Sequence, residues 1–341
     1  MKGGVLTMAE NAKLIIGVDV SKHTLAVTAL KGSDAVMFEV SNDTERFHKA
    51  VSRRFSVRAT EVVVVMEATG VYHLKLACRL HKKGYKVAVV NPFVIKKYAE
   101  MKLKRVKTDK VDSRLIAEYG RDNLRQLRLF EPKDEAVYRL EAKVKILEDL
   151  EESLRRLKNQ EEAMRHYPLE EVLTWHYEEV MDKIKEQVEK VKAEIKEIIR
   201  EHFQREYKLL TSIPSVGDKF SLIVIGLLNC FEGFEGVKKV VSYVGISPQP
   251  WQSGKRQKRG KMSKKGNGYI RRVLYMCAMS ASRHNEECRQ LYRRLLSKGK
   301  GKRAALIAVA NKLLRQAYGV LKNDMEYVAN FHLHRRSPCG A

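Results

Sequence analysis

The sequence predicts a mixed α/β domain followed by a mainly α-helical remainder. Between residues 14 and 90, short runs rich in valine and isoleucine, typical of strands, alternate with amphipathic segments typical of helices. From about residue 133 to residue 205 the composition shifts to Glu, Lys, Leu, Val and Ile, with apolar residues three, four and seven apart. These two patterns place the predicted sheet in the first part of the chain and long helices after it.

The order of the predicted elements indicates the type of α/β domain. Three short strands occupy residues 14–40, and helix, strand, helix, strand and helix follow at residues 43–55, 61–66, 73–83, 86–90 and 109–121. Three antiparallel strands followed by alternating helix and strand is the order of an RNase H-like domain, which we assign to residues 12–130. In that fold the first strand lies beside the end of the fourth, so Asp19 is expected beside Glu67.

Four acidic residues are the candidate catalytic groups of this domain. Asp19 lies in the strand 14–20, Glu67 ends the strand that begins at residue 62, and Asp109 and Asp112 are three apart on a predicted helix. A carboxylate at the end of an apolar strand is costly unless it is paired or holds a cation. Carboxylate oxygens suit Mg²⁺, so the four acids indicate a metal-dependent phosphoryl-transfer nuclease. The alternative is that they are scattered surface acids.

Charge and composition restrict the class of partner and the expected compartment. The chain has 341 residues and a net charge of +25, which favours a polyanion, above all nucleic acid, as partner. Hydrophobic residues make up 44%, enough for a folded core. No apolar run is long enough for a membrane span and the first ten residues lack a secretion signal, so we expect a cytoplasmic protein. The cysteines are odd in number and widely spaced, which suggests neither a disulfide framework nor a zinc site.

Residues 131–207 are predicted to form a coiled-coil hairpin. Pro168 and the aromatic residues at 175–177 interrupt the apolar repeat, which favours two long helices over one rod. Such a pair needs a partner, so we expect a homodimer or tetramer through it; a rigid spacer is the alternative. The repeat comprises Leu140, Val144, Leu147, Leu154, Val180, Ile184, Val188, Val191, Ile195 and Ile198.

Residues 208–330 form the third predicted domain, mainly α-helical. The segment Ile213–Gly217 and the helical run after it resemble a helix-hairpin-helix element, in which backbone N–H groups contact a phosphate. An ordinary turn between packed helices is the alternative.

Residues 253–272 are the densest basic stretch, and their glycines predict a turning loop that wraps a phosphate backbone. A solvated charge run is the alternative, and a second basic segment follows at residues 289–303. The predicted nucleic-acid-binding residues are Lys255, Arg256, Lys258, Arg259, Lys261, Lys264, Lys265, Arg271 and Arg272.

Two serines, Ser253 and Ser263, lie within this basic stretch. Cations around a serine favour its alkoxide and the charge that develops on an attacked phosphate, so either could form a covalent phosphoserine linkage. Serines in such turns also serve as turn residues or phosphate contacts, and chemistry alone leaves these roles open.

Taken together, the motifs resemble one family along nearly the whole chain. Asp19 in Gly-Val-Asp-Val-Ser-Lys, Glu67 in Met-Glu-Ala-Thr-Gly-Val-Tyr and the acidic pair in Lys-Thr-Asp-Lys-Val-Asp-Ser-Arg resemble the DEDD transposases of the insertion-sequence family numbered one hundred and ten, which includes a pilin-gene invertase. The C-terminal segments 213–217, 243–248, 252–254, 263–267 and 271–274 are similar to the transposase region of that family.

The resemblance implies a RuvC-like N-terminal domain, a coiled-coil linker and a C-terminal transposase domain with a nucleophilic serine. It assigns the Mg²⁺-binding tetrad to Asp19, Glu67, Asp109 and Asp112, and the serine to Ser253, with Ser263 as the alternative. It also implies donor and target double-stranded DNA, a noncoding bridge RNA as guide, and a composite active site that two subunits could share.

Three other functions compete with this one. A RuvC-like endonuclease that hydrolyses DNA with water would form no covalent adduct. A non-catalytic nucleic-acid-binding protein with a decayed RNase H-like fold would not need all four acids. An actin-like kinase also opens with a strand such as 14–20, but the sequence has no second phosphate loop and such an enzyme would not need a charge of +25.

Overall fold

The computed structural model describes residues 12–68, 70–103, 109–168, 170–253, 256–262 and 266–329. The structure describes the backbone but not the side chains at residues 109–110, 170–174, 248–253 and 256–261. The chain forms two compact units, Met1–Lys133 and Asp134–Ala341.

The first unit is built on a five-stranded sheet with the order β3-β2-β1-β4-β5. Neighbours among β1, β2 and β3 are antiparallel, whereas β4 is parallel to both β1 and β5. This mixed sheet confirms the predicted α/β class and has the strand order of an RNase H-like domain. The strands are β1 Leu14–Val20, β2 Thr24–Lys31, β3 Asp34–Ser41, β4 Val62–Glu67 and β5 Lys86–Val90.

Helices cover both faces of this sheet, which explains why β4 is apolar from Val62 to Met66. Val62, Val64 and Met66 share one core with the first two helices, while Val63 and Val65 share another with the third and fourth. The helices are α1 Thr44–Arg54, α2 Tyr72–Lys82, α3 Pro92–Met101 and α4 Asp109–Asp122.

Helix α3 is an element that the sequence prediction omitted. Asn91 caps it by accepting a hydrogen bond from the backbone N–H of Phe93, and Pro92 occupies the first helical position. An Asn followed by Pro is a regular signal for a helix start. Ile95 and Tyr98 then supply a buried face too short to show a clear period in the sequence.

The second unit contains two long helices followed by shorter ones around a shared core. Leu140 and Val144 of α5 and Val191 of α6 belong to the same apolar cluster as residues of the C-terminal helices. The coiled-coil character of the pair and its separation as 131–207 remain predictions. The helices are α5 Glu135–Met164, α6 Glu170–His202, α7 Gln204–Thr211, α8 Asp218–Leu222, α9 Val237–Val244, α10 Gly268–His284, α11 Glu286–Ser297 and α12 Lys302–Asn323.

One position of the predicted apolar repeat is wrong. Val180 is 48% exposed, and its neighbour Met181 is buried instead. The segment before it contains the Trp175 region, which interrupts the repeat, so the phase of the apolar face after the interruption could not be fixed by counting from α5.

The predicted basic loop at 253–272 is also corrected. Residues 256–262 form strand β7, Arg256–Met262, which pairs antiparallel with β6, Pro248–Ser253. Arg271 and Arg272 lie in α10, whose start is capped by the Asn267 side chain. Lysine, arginine and glycine have weak strand preference, so cross-strand pairing decides the structure here against local composition.

None of the helices in the described part of the chain combines the length and the apolar character needed to span a bilayer.

Candidate active site and nucleic-acid interface

Asp19 and Glu67 lie at corresponding positions of two adjacent parallel strands. Val18 of β1 is paired with Met66 of β4, and the two acids are the next residue on each strand. Neighbouring strands are about 4.8 Å apart. The predicted proximity of Asp19 and Glu67 therefore agrees with the register of the sheet, and both side chains are half-buried.

Both acids lie on the face of the sheet that α4 covers. Side chains alternate between faces along a strand, so Asp19 shares a face with Gly17, and Glu67 shares one with Val65. A Cβ atom added at Gly120 of α4 would lie 2.6 Å from Cγ2 of Val65, and one added at Gly17 would lie 2.3 Å from the backbone nitrogen of Ala117. Helix α4 therefore passes over both strands on this face.

The contact at Gly17 fixes the direction of α4. An added Cβ at Gly17 would also lie 2.3 Å from the carbonyl oxygen of Ser113, so the helix backbone rests directly on the strand. The hydroxyl groups of Ser113 and Thr28 are hydrogen-bonded at 2.9 Å in the buried interface. Thr28, Gly17 and Val65 lie opposite one another on β2, β1 and β4. The contacts of Ser113, Ala117 and Gly120 therefore show that α4 crosses these strands, with its N-terminal part on the β2 side and Gly120 over β4.

The predicted acidic pair lies in the first turn of α4. Asp109 is the first residue of α4 and Asp112 precedes Ser113, and the Asp112 side chain is half-buried. Acidic residues in the first turn of a helix interact favourably with its macrodipole. The register brings Asp19 and Glu67 together, whereas the approach of Asp109 and Asp112 to them stays a prediction, and the Asp109 side chain lies outside the described ones.

The described carboxylates do not by themselves form a closed metal cage. Among the side chains that the structure describes, no three carboxylates, imidazoles or thiols converge closely enough to hold a cation. The donor set nevertheless suits a hard divalent ion, which takes carboxylate oxygens and keeps part of its water shell. A complete site would therefore draw on Asp109, or on oxygens of the substrate, in addition to Asp19, Glu67 and Asp112.

A polar cluster joins the far end of α4 to α3. The Tyr98 hydroxyl donates a 2.6 Å hydrogen bond to Oδ2 of Asp122, and Nζ of Lys102 donates one of 2.9 Å to the same oxygen. These bonds, that of Tyr98 first, lower the pKa of Asp122 to about 2. Burial and the bond to Asp122 raise the pKa of Tyr98 to about 12. The cluster stabilises the helix that carries two of the four acids.

The candidate nucleophile lies in the second unit. Ser253 is the last residue of β6 and is paired with Arg256, the first residue of β7. Lys258 is paired with Trp251 in the same hairpin, and four of the seven residues of β7 are basic. Ser263, Lys255, Lys264 and Lys265 lie outside the described residues, and the roles predicted for them stay predictions.

The two arginines of α10 differ in their surroundings. Arg271 is half-buried, and its Nη1 donates hydrogen bonds to the backbone carbonyls of Gly266 and Val244. Arg272 is exposed, and its guanidinium lies 5.3 Å from the ring centroid of Tyr269. Arg271 therefore has a structural function at the start of α10, whereas Arg272 is exposed in the way that a phosphate contact requires.

Two family models match the chain. Residues 16–164 match a model described as a transposase of the DEDD type of IS110, and residues 207–293 match one described as "Transposase IS116/IS110/IS902 family". The first match contains the four acids, and the second contains Ser253 and the β6–β7 hairpin.

Curated relatives of similar length also match. The chain is 26% identical over 331 residues to the pilin gene-inverting protein of Moraxella lacunata, and the match covers 94% of this chain and 99% of that protein. The pilin gene-inverting protein of Moraxella bovis is 25% identical over the same length. An uncharacterized 43.6 kDa protein of insertion element IS110 from Streptomyces coelicolor is 23% identical over 119 residues, which is 35% of this chain and 29% of that protein.

Among solved structures, the chain is similar to RuvC of T. thermophilus in complex with a Holliday junction substrate. The identity is 14% and the TM-score is 0.26, and the match covers 34% of this chain and 99% of that one. A second structure of Thermus thermophilus RuvC matches with a TM-score of 0.25 and the same identity and coverage.

Proposed function

The chain belongs to the IS110 family of DEDD transposases, and on this premise we propose that it cuts and rejoins DNA with an acidic metal site and a nucleophilic serine. The observation that carries the proposal is the register of Asp19 and Glu67, on one face of two adjacent parallel strands that α4 also covers. Carboxylates gathered in this way beside a phosphate need cations.

The acidic edge would hold the divalent cation. Asp19, Glu67, Asp109 and Asp112 would supply its carboxylate ligands, and Mg²⁺ is the ion that we propose. Such an ion, when bound, stabilises the negative charge that develops on an attacked phosphate. Asp19 and Glu67 are held by strand pairing and Asp112 by the packing of α4 on Gly17, so three of the four ligands come from rigid elements.

Ser253 would be the nucleophile. Its Oγ gives up a proton and attacks the phosphorus, the bond from phosphorus to the departing deoxyribose oxygen breaks, and that oxygen takes up a proton. The new Oγ–P bond keeps the phosphate in diester linkage, so a second deoxyribose hydroxyl can attack it, reseal the DNA and release the serine. Arg256, opposite Ser253 in the hairpin, is a candidate for contact with the phosphate.

A composite site follows from where these groups lie in the chain. The acids belong to the first compact unit and Ser253 to the second. We propose that subunits associate through α5 and α6 as a coiled coil, in a dimer or tetramer, and that the serine of one subunit can serve the acids of another.

Nucleic acid is proposed to bind in two forms. Donor and target duplex DNA would be the substrates, and a structured noncoding bridge RNA the guide, as the family resemblance implies. The +25 charge supports binding of both, and the basic residues of β7 and Arg272 supply phosphate contacts. The turn between α7 and α8, with Ser215 at a φ of 74°, is proposed as a helix-hairpin-helix phosphate contact.

The proposal is tested by a search for the covalent adduct. Purified protein is incubated with its flanking noncoding RNA, Mg²⁺ and cognate DNA, and the products are separated on a denaturing gel and mapped by peptide mass. We expect a DNA adduct on Ser253 that is lost in Ser253→Ala and in Asp19→Ala but kept in Ser33→Ala, a control at an exposed turn.

Two other outcomes would change the assignment. An adduct on the peptide that contains Ser263 would identify that serine as the nucleophile. Cleaved DNA without any adduct would favour the hydrolytic RuvC-like endonuclease, in which water attacks the phosphate and the serines are structural.

A further inference from the structure

The hairpin formed by α11 and α12 carries a second concentration of positive charge, remote in sequence from the β6–β7 hairpin. Between Glu287 and Asp324 the sequence contains no acidic residue. The exposed cations gather where α11 ends and α12 begins, a region that we call the hairpin tip. They are Arg293, Arg294, Lys298, Lys300, Lys302 and Arg303.

The tip cations are not neutralised, unlike the cations at the base of the hairpin and several of those on α6. At the base of the hairpin, Arg289 is paired with Glu286 and Lys312 with Glu287. On α6, lysines 183, 185, 190 and 192 each pair with an acid three or four residues away. Within the described part of the chain, none of the six tip cations forms an ion pair. Charged surfaces normally mix both signs, so this one is biased toward an anionic partner.

Part of this charge destabilises the start of α12. Lys302 and Arg303 occupy the first turn of α12, where the macrodipole is positive and favours acids. Gly301 at the N-cap supplies no side-chain hydrogen bond to the first backbone N–H groups. A stabilising sequence would have Ser or Asp at the cap and an acid in the first turn. The tip therefore has the composition of a binding surface and not of a helix start selected for stability.

The chemistry of the tip fits a phosphate backbone. Residues 293–303 contain no aromatic residue, so the tip has no platform on which unpaired bases could stack. Lysine and arginine without aromatic residues favour contacts to the phosphates of a duplex, which are independent of sequence. Buried Cys288, Ala305 and Leu306 keep the two helices packed, so the cations project from a rigid support.

We propose that the hairpin tip binds the phosphate backbone of double-stranded DNA. The contact would be additional to that of the β6–β7 hairpin and would hold the DNA outside the site of strand cleavage. The proposal rests on the proposed function, since it takes the DNA of the recombination reaction as the partner.

The test removes four charges from the tip and the same number from a paired surface. The tip variant is Arg293→Gln, Arg294→Gln, Lys302→Gln and Arg303→Gln in the full chain. The control is Lys183→Gln, Lys185→Gln, Lys190→Gln and Lys192→Gln on α6, which changes the net charge equally. A third variant, Arg293→Lys, Arg294→Lys and Arg303→Lys, keeps the charge. Thermal unfolding of every variant checks that it folds.

The affinity for a short DNA duplex of unrelated sequence is measured at several salt concentrations. For the tip variant we expect at least about tenfold weaker binding at low salt and a salt slope smaller by about 2 to 4, because each neutralised phosphate contributes about 0.9 to the slope. The paired-surface control and the charge-keeping variant are expected to match the unsubstituted protein within about twofold.

Each contrary result overturns the proposal in a recognisable way. An equal loss in the tip variant and the α6 control would mean that only net charge matters. An unchanged slope in the tip variant would exclude the tip as a contact. A loss confined to a structured RNA hairpin, measured in parallel, would make RNA the partner. Adduct formation on Ser253 is scored separately, so an adduct together with an unchanged slope would refute this surface and leave the proposed function standing.

Discussion

Asp19 and Glu67 each lie one residue beyond a paired position of two adjacent parallel strands, and both side chains are on the face covered by α4. Two carboxylates at this separation repel each other when no cation is present. Their placement is stable because the sheet is buried on both faces and cannot shift its register without exposing one of its two cores. Asp19 and Glu67 are thus positioned by two strands, β1 and β4, whose register is fixed by packing on both faces of the sheet.

The first prediction concerns this acidic edge. In the unsubstituted protein, Mg²⁺ should raise the midpoint of thermal unfolding, because a ligand that binds only the folded state stabilises it. Asp19→Asn should abolish most of that increase, whereas Glu39→Gln, at an exposed position of β3, should preserve it. An increase of the same size in Asp19→Asn would show that the cation binds elsewhere.

The second prediction concerns Gly17. Gly17→Ala would put a Cβ atom 2.3 Å from backbone atoms of α4, and backbone cannot rotate away as a side chain can. We expect a loss of about 2 kcal/mol or more in the free energy of unfolding, measured with urea, together with a loss of DNA cleavage. Gly319→Ala, where an added Cβ meets nothing within 4 Å, should be neutral or slightly stabilising. A fully stable Gly17→Ala variant would contradict the close contact.

The third prediction concerns the pH dependence of the Asp122 cluster. The pKa of Asp122 is lowered to about 2 in the folded protein, so its contribution to stability is present above its unfolded pKa, near 4, and is lost as the pH falls toward 2. Asp122→Asn should therefore lower the free energy of unfolding by about 1 kcal/mol at neutral pH, a figure reduced for partial exposure.

The measurement for Asp122 compares urea unfolding of the variant and the unsubstituted protein from about pH 7 to about pH 2.5. The difference between them should shrink below about pH 4. Asp34→Asn, at the exposed first residue of β3, provides the control and should show little effect throughout. A difference that stays constant with pH would show that the lost hydrogen-bond geometry matters and the charge does not.

The fourth prediction separates two arginines that have the same predicted role. Arg271→Gln should lower the stability of the second unit, since its guanidinium holds the carbonyls of Gly266 and Val244. Arg272→Gln should leave the unfolding transition nearly unchanged and weaken DNA binding, with a smaller salt slope. Comparing unfolding curves with DNA affinities for the two variants makes the distinction. Equal effects of both variants on DNA affinity, at equal stability, would contradict it.

Much of the first unit could be predicted because its signals are local. The valine-rich run before Glu67 and the apolar run around Asp19 each mark a buried strand within a few residues. The glycine in the middle of β1 was a further local signal, since a glycine within a strand indicates close approach by another backbone. The observed packing of α4 on Gly17 is that approach, and it explains the position of Asp112.

The parts that sequence reasoning missed depend on contacts between distant residues. The strand β7 forms from Lys, Arg and Gly because β6 offers it a pairing partner, which composition cannot reveal. The two roles of Arg271 and Arg272 depend on which side of α10 faces the end of α9. Ser253 and the acids lie in two separate compact units, so no pattern within one segment could predict how they act together.

The close contact at Gly266 bears on the position of the β6–β7 hairpin. An added Cβ at Gly266 would lie 2.3 Å from the carbonyl oxygen of Tyr243. The backbone before β6 and the backbone after β7 are therefore in direct contact. This contact and the hydrogen bonds of Arg271 to the carbonyls of Val244 and Gly266 hold the two ends of the intervening segment together. The helices at its base thus hold the β6–β7 hairpin, which carries Ser253, in place.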